Sequence, residues 1–166
     1  LPTYLHQIKG LDLVTANLLV SCMLFAGVVG QAIVGTLSDN YGRKELVLLF
    51  TALSVPFFLL FMGTSGIFSF VFLIVFGFAL WSTFSTTVTM AHELVPGNVG
   101  LVSGLMLGLA VGAGGAGVAV SGYYADMTSL AASMQLFVLP VLVALVLFLL
   151  VPYPWKRLRL SQRKDI

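Results

Sequence analysis

Long apolar runs separated by short polar segments set the pattern of this chain. Five of the runs have the roughly 17 to 25 residues that an α-helix needs to cross the hydrocarbon core of a bilayer. They cover residues 13–37, 46–62, 67–90, 101–124 and 134–151. A signal peptide would account for only one such run. We therefore predict a bundle of five transmembrane helices within residues 1–153, followed by a basic tail at 154–166.

Composition agrees with a location in the lipid bilayer. Hydrophobic residues make up 59% of the chain and charged residues 8%, and the mean hydropathy is +1.07. A soluble domain would have about a quarter of its residues charged. The predicted fold class is therefore an all-α integral membrane protein. The net charge of +2 is small and the basic residues are not spread as they would be in a nucleic-acid-binding patch, so nucleic acid is not expected as a partner.

The basic residues fall on one side of the predicted membrane. Five crossings place seven of the eight lysines and arginines on the side of the turn at 35–44 and the tail, and leave only Lys9 on the other. Loops rich in lysine and arginine stay in the cytoplasm. The pattern predicts a multi-pass protein of the inner (plasma) membrane of the cell, with a cytoplasmic C-terminus.

The predicted helices differ in the polar residues that they carry at membrane depth. The runs at 46–62 and 134–151 are apolar around nearly the whole helix, which is typical of helices that mostly contact lipid. The other three carry polar or small residues and are expected to face protein or a cavity. We predict that four of their side chains line a cavity for a small-molecule substrate: Gln31, Trp81, Ser85 and Thr89.

An alternative role remains open for most of these side chains. The hydroxyls can bond the backbone carbonyl one turn earlier in the same helix, and Gln31 can form an interhelical hydrogen bond. Trp81 lies in the middle of its helix rather than at the membrane boundary, which favours a stacking surface for a bound organic molecule.

Glycines recur at every fourth position in the fourth predicted helix and directly before it. They are Gly100, Gly104, Gly108 and Gly112. This spacing puts them on one helix face, where the backbone of a neighbouring helix can approach closely. We predict a packing stripe, and the glycines can also let the helix bend.

The acids and histidines give no sign of catalytic or metal chemistry. All six acids fall at helix ends, in loops or in the tail, and His6 and His92 are predicted on opposite sides of the membrane. We expect no catalytic residue, no metal ion and no cofactor. If transport is coupled to protons through a buried acid, that acid lies in a part of the molecule outside this chain.

The turn after the first predicted helix collects charges in an otherwise apolar region. Asp39 lies at the C-terminal end of that helix, where the helix dipole disfavours a carboxylate by about 0.3 to 1 kcal/mol. Arg43, folded back through Gly42, or the positive N-terminal end of another helix would offset this cost. Either contact would form a conformational latch. The alternative is a solvated loop whose basic residues only reflect the excess of positive charge on the cytoplasmic side.

This turn resembles the cytoplasmic signature of the major facilitator superfamily, written G-x-L-x-D-R-x-G-R-K. The matching residues are Gly35, Leu37, Asp39, Gly42, Arg43 and Lys44, and Asn40 stands where the family usually has a base. The segment ELVPGNVGLVSGLMLGLAVGAGGAG is similar to the loop and eleventh helix of drug-efflux members of the fosmidomycin-resistance type. The two stretches and the helix count together imply the carboxy-terminal half of such a transporter, with helices eight to twelve and the end of helix seven.

The resemblance implies a secondary active transporter that moves a small organic solute by alternating access, with efflux favoured over uptake. It also implies an N-terminal half of the transporter as a partner and protons as a candidate coupling ion. In this interpretation the signature residues form the latch. The alternative is a membrane scaffold or accessory subunit that transports nothing and binds a partner through its glycine-rich helix.

Overall fold

The computed structural model describes residues 1–153, and the tail predicted at 154–166 lies outside them. The described part is helical and contains no strand, which confirms the predicted all-α fold. Its helices are α1 (Pro2–Gln7), α2 (Leu13–Tyr41), α3 (Arg43–Gly63), α4 (Ile67–Leu94), α5 (Val99–Met127), α6 (Leu130–Leu136) and α7 (Val138–Leu150). Five spans are long and apolar enough to cross a membrane when α6 and α7 are counted together as Leu130–Leu150.

Helix α2 begins at a capped end and stops at a glycine turn. Asp12 is the N-cap, and its Oδ2 accepts a hydrogen bond of 3.1 Å from the backbone N–H of Thr15. At the other end, Gly42 has a φ of 104°, a conformation that glycine adopts at no steric cost. Helix α3 therefore starts directly after it, at Arg43, and the two helices are joined by a single residue.

The last membrane span is broken into two helices. Helix α6 ends at Leu136 and α7 begins at Val138, with Phe137 between them. Pro140 has no N–H to donate to the carbonyl of Leu136, so the helical hydrogen bond is missing at this point. The apolar run at 134–151 therefore corresponds to the end of α6 and the whole of α7 rather than to one continuous helix.

Helix α4 lies at the centre of the described bundle and packs along both α2 and α3. Glycines allow α2 and α4 to come very close. An ideal Cβ on Gly30 would lie 2.8 Å from the carbonyl oxygen of Phe78, and one on Gly77 would lie 2.6 Å from that of Met23. No real Cβ tolerates such a distance from a backbone atom, so this interface depends on the missing side chains.

Helices α5 and α7 contribute little to the core. Val102 is the only buried residue of α5, and α7 has none, whereas α3 buries a face that includes Val47, Phe58 and Phe61. This differs from the expectation that α3 mostly contacts lipid and α5 faces protein. Polarity indicates which surface avoids lipid, but it does not tell whether the covering surface belongs to the same stretch of chain.

Candidate functional site

Arg43 joins three helices at the turn between α2 and α3. Its Nη2 donates a hydrogen bond of 2.8 Å to Oδ1 of Asp39, on the last turn of α2. Its Nη1 forms an ion pair with Oε1 of Glu93, on the last turn of α4. Of the two groups that could offset the charge of Asp39, the structure thus places Arg43 against it. The side chain of Asp39 is still 62% exposed, which leaves room for a second contact.

Lys44 extends this cluster to the end of α7. It is only 3% exposed, and its Nζ donates to the carbonyl oxygens of Leu149 at 3.1 Å and Val151 at 2.8 Å. These carbonyls end a helix, where the dipole is negative and favours a cation. The hydroxyl of Tyr153 donates to Oε2 of Glu93. The starting turn of α3 therefore holds the ends of α2, α4 and α7 together.

Glu93 and Tyr153 were missed in the sequence analysis as parts of this cluster. A signal for Glu93 was available, because the predicted topology puts it on the same side of the membrane as Arg43. Nothing in the spacing of the chain indicates Tyr153, because its contact depends on how α7 packs against α3.

Two of the remaining three signature residues, Gly35 and Leu37, have looser surroundings than the charged cluster. An ideal Cβ on Gly35 would lie 3.9 Å from Oγ of Ser85, at ordinary contact distance. The side chain of Leu37 is exposed at the surface of α2. Gly42 has the positive φ described above, so a side chain there would be strained whatever the space around it.

A polar cavity of about 340 Å³ lies between α2 and α4, directly beside this turn. It brings together three of the four predicted cavity residues with Gly35, Asp39 and Arg43 of the signature. We call it the polar cavity, and its lining residues are Gln31, Ala32, Gly35, Thr36, Ser38, Asp39, Arg43, Ser85, Thr86 and Thr89. The predicted latch and most of the predicted cavity wall are therefore parts of one site.

The hydroxyls of the polar cavity fall into two groups. Some are satisfied within their own helix, as the sequence alternative allowed: Thr89 donates to the carbonyl of Ser85 at 3.0 Å, and Ser38 to that of Gly35 at 2.6 Å. Thr86 is different, because its Oγ1 is buried and has no hydrogen-bond partner within residues 1–153. Helical spacing allows Ser85 or Thr86 at this level of α4, and the prediction took Ser85, whereas both line the cavity.

Trp81 is separated from the other predicted cavity residues. It packs against α2, where an ideal Cβ on Gly27 would lie 2.6 Å from the Cβ of Trp81. Its side chain lines a second cavity of about 590 Å³ with Phe58, Met134 and Val138, on the side of α5, α6 and α7. This second cavity is mainly apolar, so an apolar surface rather than a polar wall surrounds Trp81.

The glycine stripe of α5 is not covered by the described chain. No atom lies within 4 Å of an ideal Cβ built on any of its members, Gly100, Gly104, Gly108 and Gly112. Close packing of this stripe stays a prediction, and it requires a helix that residues 1–153 do not supply. Within the same residues, no group of three histidine, cysteine or acidic side chains lies close enough to hold a metal ion.

Comparison with known proteins gives a family match over nearly the whole chain. The model of the Major Facilitator Superfamily matches residues 1–165. The fosmidomycin resistance protein of Escherichia coli (strain K12) is 39% identical over 147 residues, which are 88% of this chain and 36% of that protein. The uncharacterized MFS-type transporter YfnC of Bacillus subtilis (strain 168) is 35% identical over 120 residues, which are 72% of this chain and 29% of that protein. The chain spans about a third of the length of these two relatives. No solved structure gives a significant match.

Proposed function

Because the chain belongs to the major facilitator superfamily, we propose that it forms part of a secondary active transporter that exports a small organic solute from the cell by alternating access. The relative from Escherichia coli is named for resistance to fosmidomycin, and resistance through a transporter is the expected result of efflux. This favours export over uptake. The plasma membrane is the proposed location, with the Arg43 turn and the C-terminus in the cytoplasm.

We further propose that the chain acts together with an N-terminal half of the transporter. Two observations support this. The relatives are about three times as long as the matched stretch, and the glycine stripe of α5 has no covering surface in the described residues. In this proposal a helix of the remaining part packs on the stripe. The described acids lie at helix ends or in loops, so a proton-binding acid for coupling is expected in that remaining part.

The observation that carries the proposed mechanism is the Asp39–Arg43–Glu93 cluster beside the polar cavity. A contact of this kind holds the ends of three helices while the cytoplasmic side is shut. Opening of the cytoplasmic side would separate surfaces next to the cluster. The strength of the cluster therefore biases the equilibrium between the shut and the open state. The exposed side of Asp39 can also accept the positive N-terminal end of a helix from the other half.

Substitution of Asp39 tests the latch. We expect Asp39→Asn to slow the export of fosmidomycin roughly five- to ten-fold, because one exposed ion pair and one helix-dipole contact are lost. Accumulation in everted membrane vesicles measures the rate. Asp12→Asn is a matched control at the other membrane surface, since asparagine caps a helix as well as aspartate, and it should transport normally. Normal transport by Asp39→Asn would exclude the latch.

The same assay separates the transporter from the scaffold. If vesicles with the intact protein accumulate neither fosmidomycin nor any of a panel of organic solutes, the proposed transport function is wrong and the scaffold is favoured.

Thiol labelling tests the orientation. Cys22 is the one cysteine of the chain, so new cysteines can be introduced in a Cys22→Ala background. An impermeant thiol reagent should label Asn40→Cys only from the cytoplasmic side and Gln7→Cys only from the outside. Labelling of Asn40→Cys from the outside would contradict the orientation.

A further inference from the structure

The basic tail that follows α7 carries most of the positive charge of the chain. Five of the eight lysines and arginines fall within residues 156–164, and no acid lies among them. The five are Lys156, Arg157, Arg159, Arg163 and Lys164. Asp165 follows directly, and Trp155, Leu158 and Leu160 are interspersed with the bases. The tail therefore combines cationic and apolar side chains in one short stretch, soon after the last membrane span.

The described residues fix the point at which this tail begins. Tyr153, the last of them, is only 4% exposed. Its side chain forms a buried cluster with Val47 of α3 and Met90 of α4, and its hydroxyl donates to Glu93. Lys44 holds the end of α7 through two backbone carbonyls. The chain therefore enters the tail from a fixed position, beside the start of α3 and the end of α4.

This fixed position lies where the chain leaves the hydrocarbon core. Helix α7 carries no charged side chain, whereas Arg43, Lys44 and Glu93 lie together just beyond its end. We therefore expect Tyr153 at the level of the lipid headgroups, where amphipathic aromatic residues are favoured. The Cα atom of Lys156 is at most about 11 Å from that of Tyr153. The bases of the tail thus begin within reach of the headgroups.

Anionic phospholipids are the partner that this arrangement fits. A cluster of roughly four to eight lysines and arginines immediately beyond a transmembrane helix is attracted to the negative surface of a membrane that contains anionic lipids. Tryptophan is favoured at the boundary between lipid and water. An excess of bases on the cytoplasmic side also orients the chain during insertion. That role alone predicts no preference for one kind of lipid in the finished protein.

We propose that the basic tail binds the headgroups of anionic phospholipids in the leaflet at which α7 ends. In the proposed orientation this is the cytoplasmic leaflet. The lysines and arginines of residues 156–164 would pair with the phosphate groups, and Trp155 would contact the boundary of the acyl chains. The competing possibility is that acids at the same end of the bundle, such as Asp39, hold the tail. Its charge would then be neutralised within the protein, and no lipid would be selected.

The fluorescence of Trp155 reports on the lipids beside the bases. The chain has two tryptophans, Trp81 and Trp155, so Trp81→Phe leaves only the one in the tail. This variant is purified and placed in vesicles of equal parts phosphatidylglycerol and phosphatidylcholine, in which the acyl chains of one lipid or of the other are brominated. Bromine quenches a nearby tryptophan while the lipid composition stays the same. At low salt we expect an about five-fold preference for phosphatidylglycerol in relative binding constant, as attraction to one nearby base predicts.

Charge variants test the cause of this preference. Replacement of all five bases of residues 156–164 by glutamine should abolish it, and about 0.5 M salt should reduce it because exposed charges are screened. Among single changes, Arg157→Gln should lower the preference about two-fold. Lys9→Gln is the matched control, because it removes one base at the other end of the bundle, and it should leave the preference unchanged. A preference that survives the loss of all five bases would overturn the proposal.

The other tryptophan guards this measurement. Only Trp81 remains in Trp155→Phe, and because it lines the second cavity it should show no lipid preference. If Trp81→Phe does not fold, the difference between the protein with and without Trp155→Phe isolates the signal of Trp155. Equal quenching of Trp155 by the two lipids, or the same preference at Trp81, would overturn the proposal. These readouts need no transport, so their failure leaves the proposed function standing, and absence of transport with a retained lipid preference would refute transport alone.

Discussion

The surface between α2 and α4 and the surface of α5 both contain several glycines, but only the first is covered within the described chain. Gly27, Gly30 and Gly77 lie so close to the facing helix that an added Cβ would overlap its atoms. Gly104 and Gly108 on α5 have open space around them. The same residue type is therefore essential for packing at one surface and has no neighbour at the other.

The difference shows how the described chain is organised. Helices α2, α3 and α4 form a packed unit with its own buried side chains. Among the described residues, hydrogen bonds hold helix α5 near its two ends: Ser103 contacts His92 of α4, and Ser133 of α6 donates to the carbonyl of Ser121. Between these points its length is uncovered by residues 1–153.

The largest expected effect is at the packed surface. Gly77→Ala would place a methyl group 2.6 Å from the carbonyl oxygen of Met23. Because that atom is backbone, α2 and α4 must separate, and we expect a loss of about 3 kcal/mol in the free energy of unfolding. Thermal unfolding of the purified protein in detergent measures this loss.

Gly114→Ala, on α5 but outside the glycine stripe, is the matched control for this prediction. It adds the same methyl group to a helix of the same chain, where nothing lies within 4 Å. The replacement should leave stability unchanged or raise it slightly, since alanine favours helix. Equal effects of the two substitutions would show that the contrast between the surfaces is wrong.

A smaller effect is expected where α7 joins the packed unit. Lys44→Met keeps the apolar stem but removes the ammonium that binds the carbonyls of Leu149 and Val151. We expect a loss of about 1 to 2 kcal/mol in the free energy that holds the end of α7 to α3. Hydrogen–deuterium exchange should become faster in the last turn of α7.

Lys9 provides a comparison on the other side of the membrane. Its Nζ donates to the carbonyls of Phe61 at 3.1 Å and Met62 at 3.3 Å, at the end of α3. Lys9→Met should therefore speed exchange at the end of α3 and leave α7 protected. Faster exchange of α7 in the Lys9 variant would mean that the effect of Lys44→Met is not local.

The sequence predicted those features that depend on local pattern. Long apolar runs are sufficient to predict the transmembrane helices. Gly42, between the charged residues Asp39 and Arg43, is sufficient to predict the turn. The proximity of Asp39 and Arg43 followed because they are four residues apart across that turn. Each of these features is determined by residues that lie close together in the sequence.

Features that depend on the rotation of one helix against another could not be predicted. Hydroxyls lie on several faces of the second half of α4, so the pattern does not show which of them line the polar cavity, or that Trp81 lines an apolar one. The glycines of α5 have the more regular spacing, yet those of α2 and α4 make the close contacts. Spacing shows that a helix can be approached, and only tertiary structure shows which neighbour approaches it.

The smallest predicted effect concerns the contact between the two regions. Nε2 of His92 and Oγ of Ser103 share a hydrogen bond of 2.8 Å that joins the last turn of α4 to α5. Ser103→Ala should weaken this junction by about 0.6 kcal/mol, which is typical of hydrogen bonds between membrane helices.

Ser121→Ala is the matched control on the same helix, because the hydroxyl of Ser121 donates only to the carbonyl of Val118 within α5. Hydrogen–deuterium exchange of the first turns of α5 should become faster in the Ser103 variant alone. The same change in both variants would mean that the start of α5 is not held by His92, and that this helix is even less attached to the packed unit than its contacts indicate.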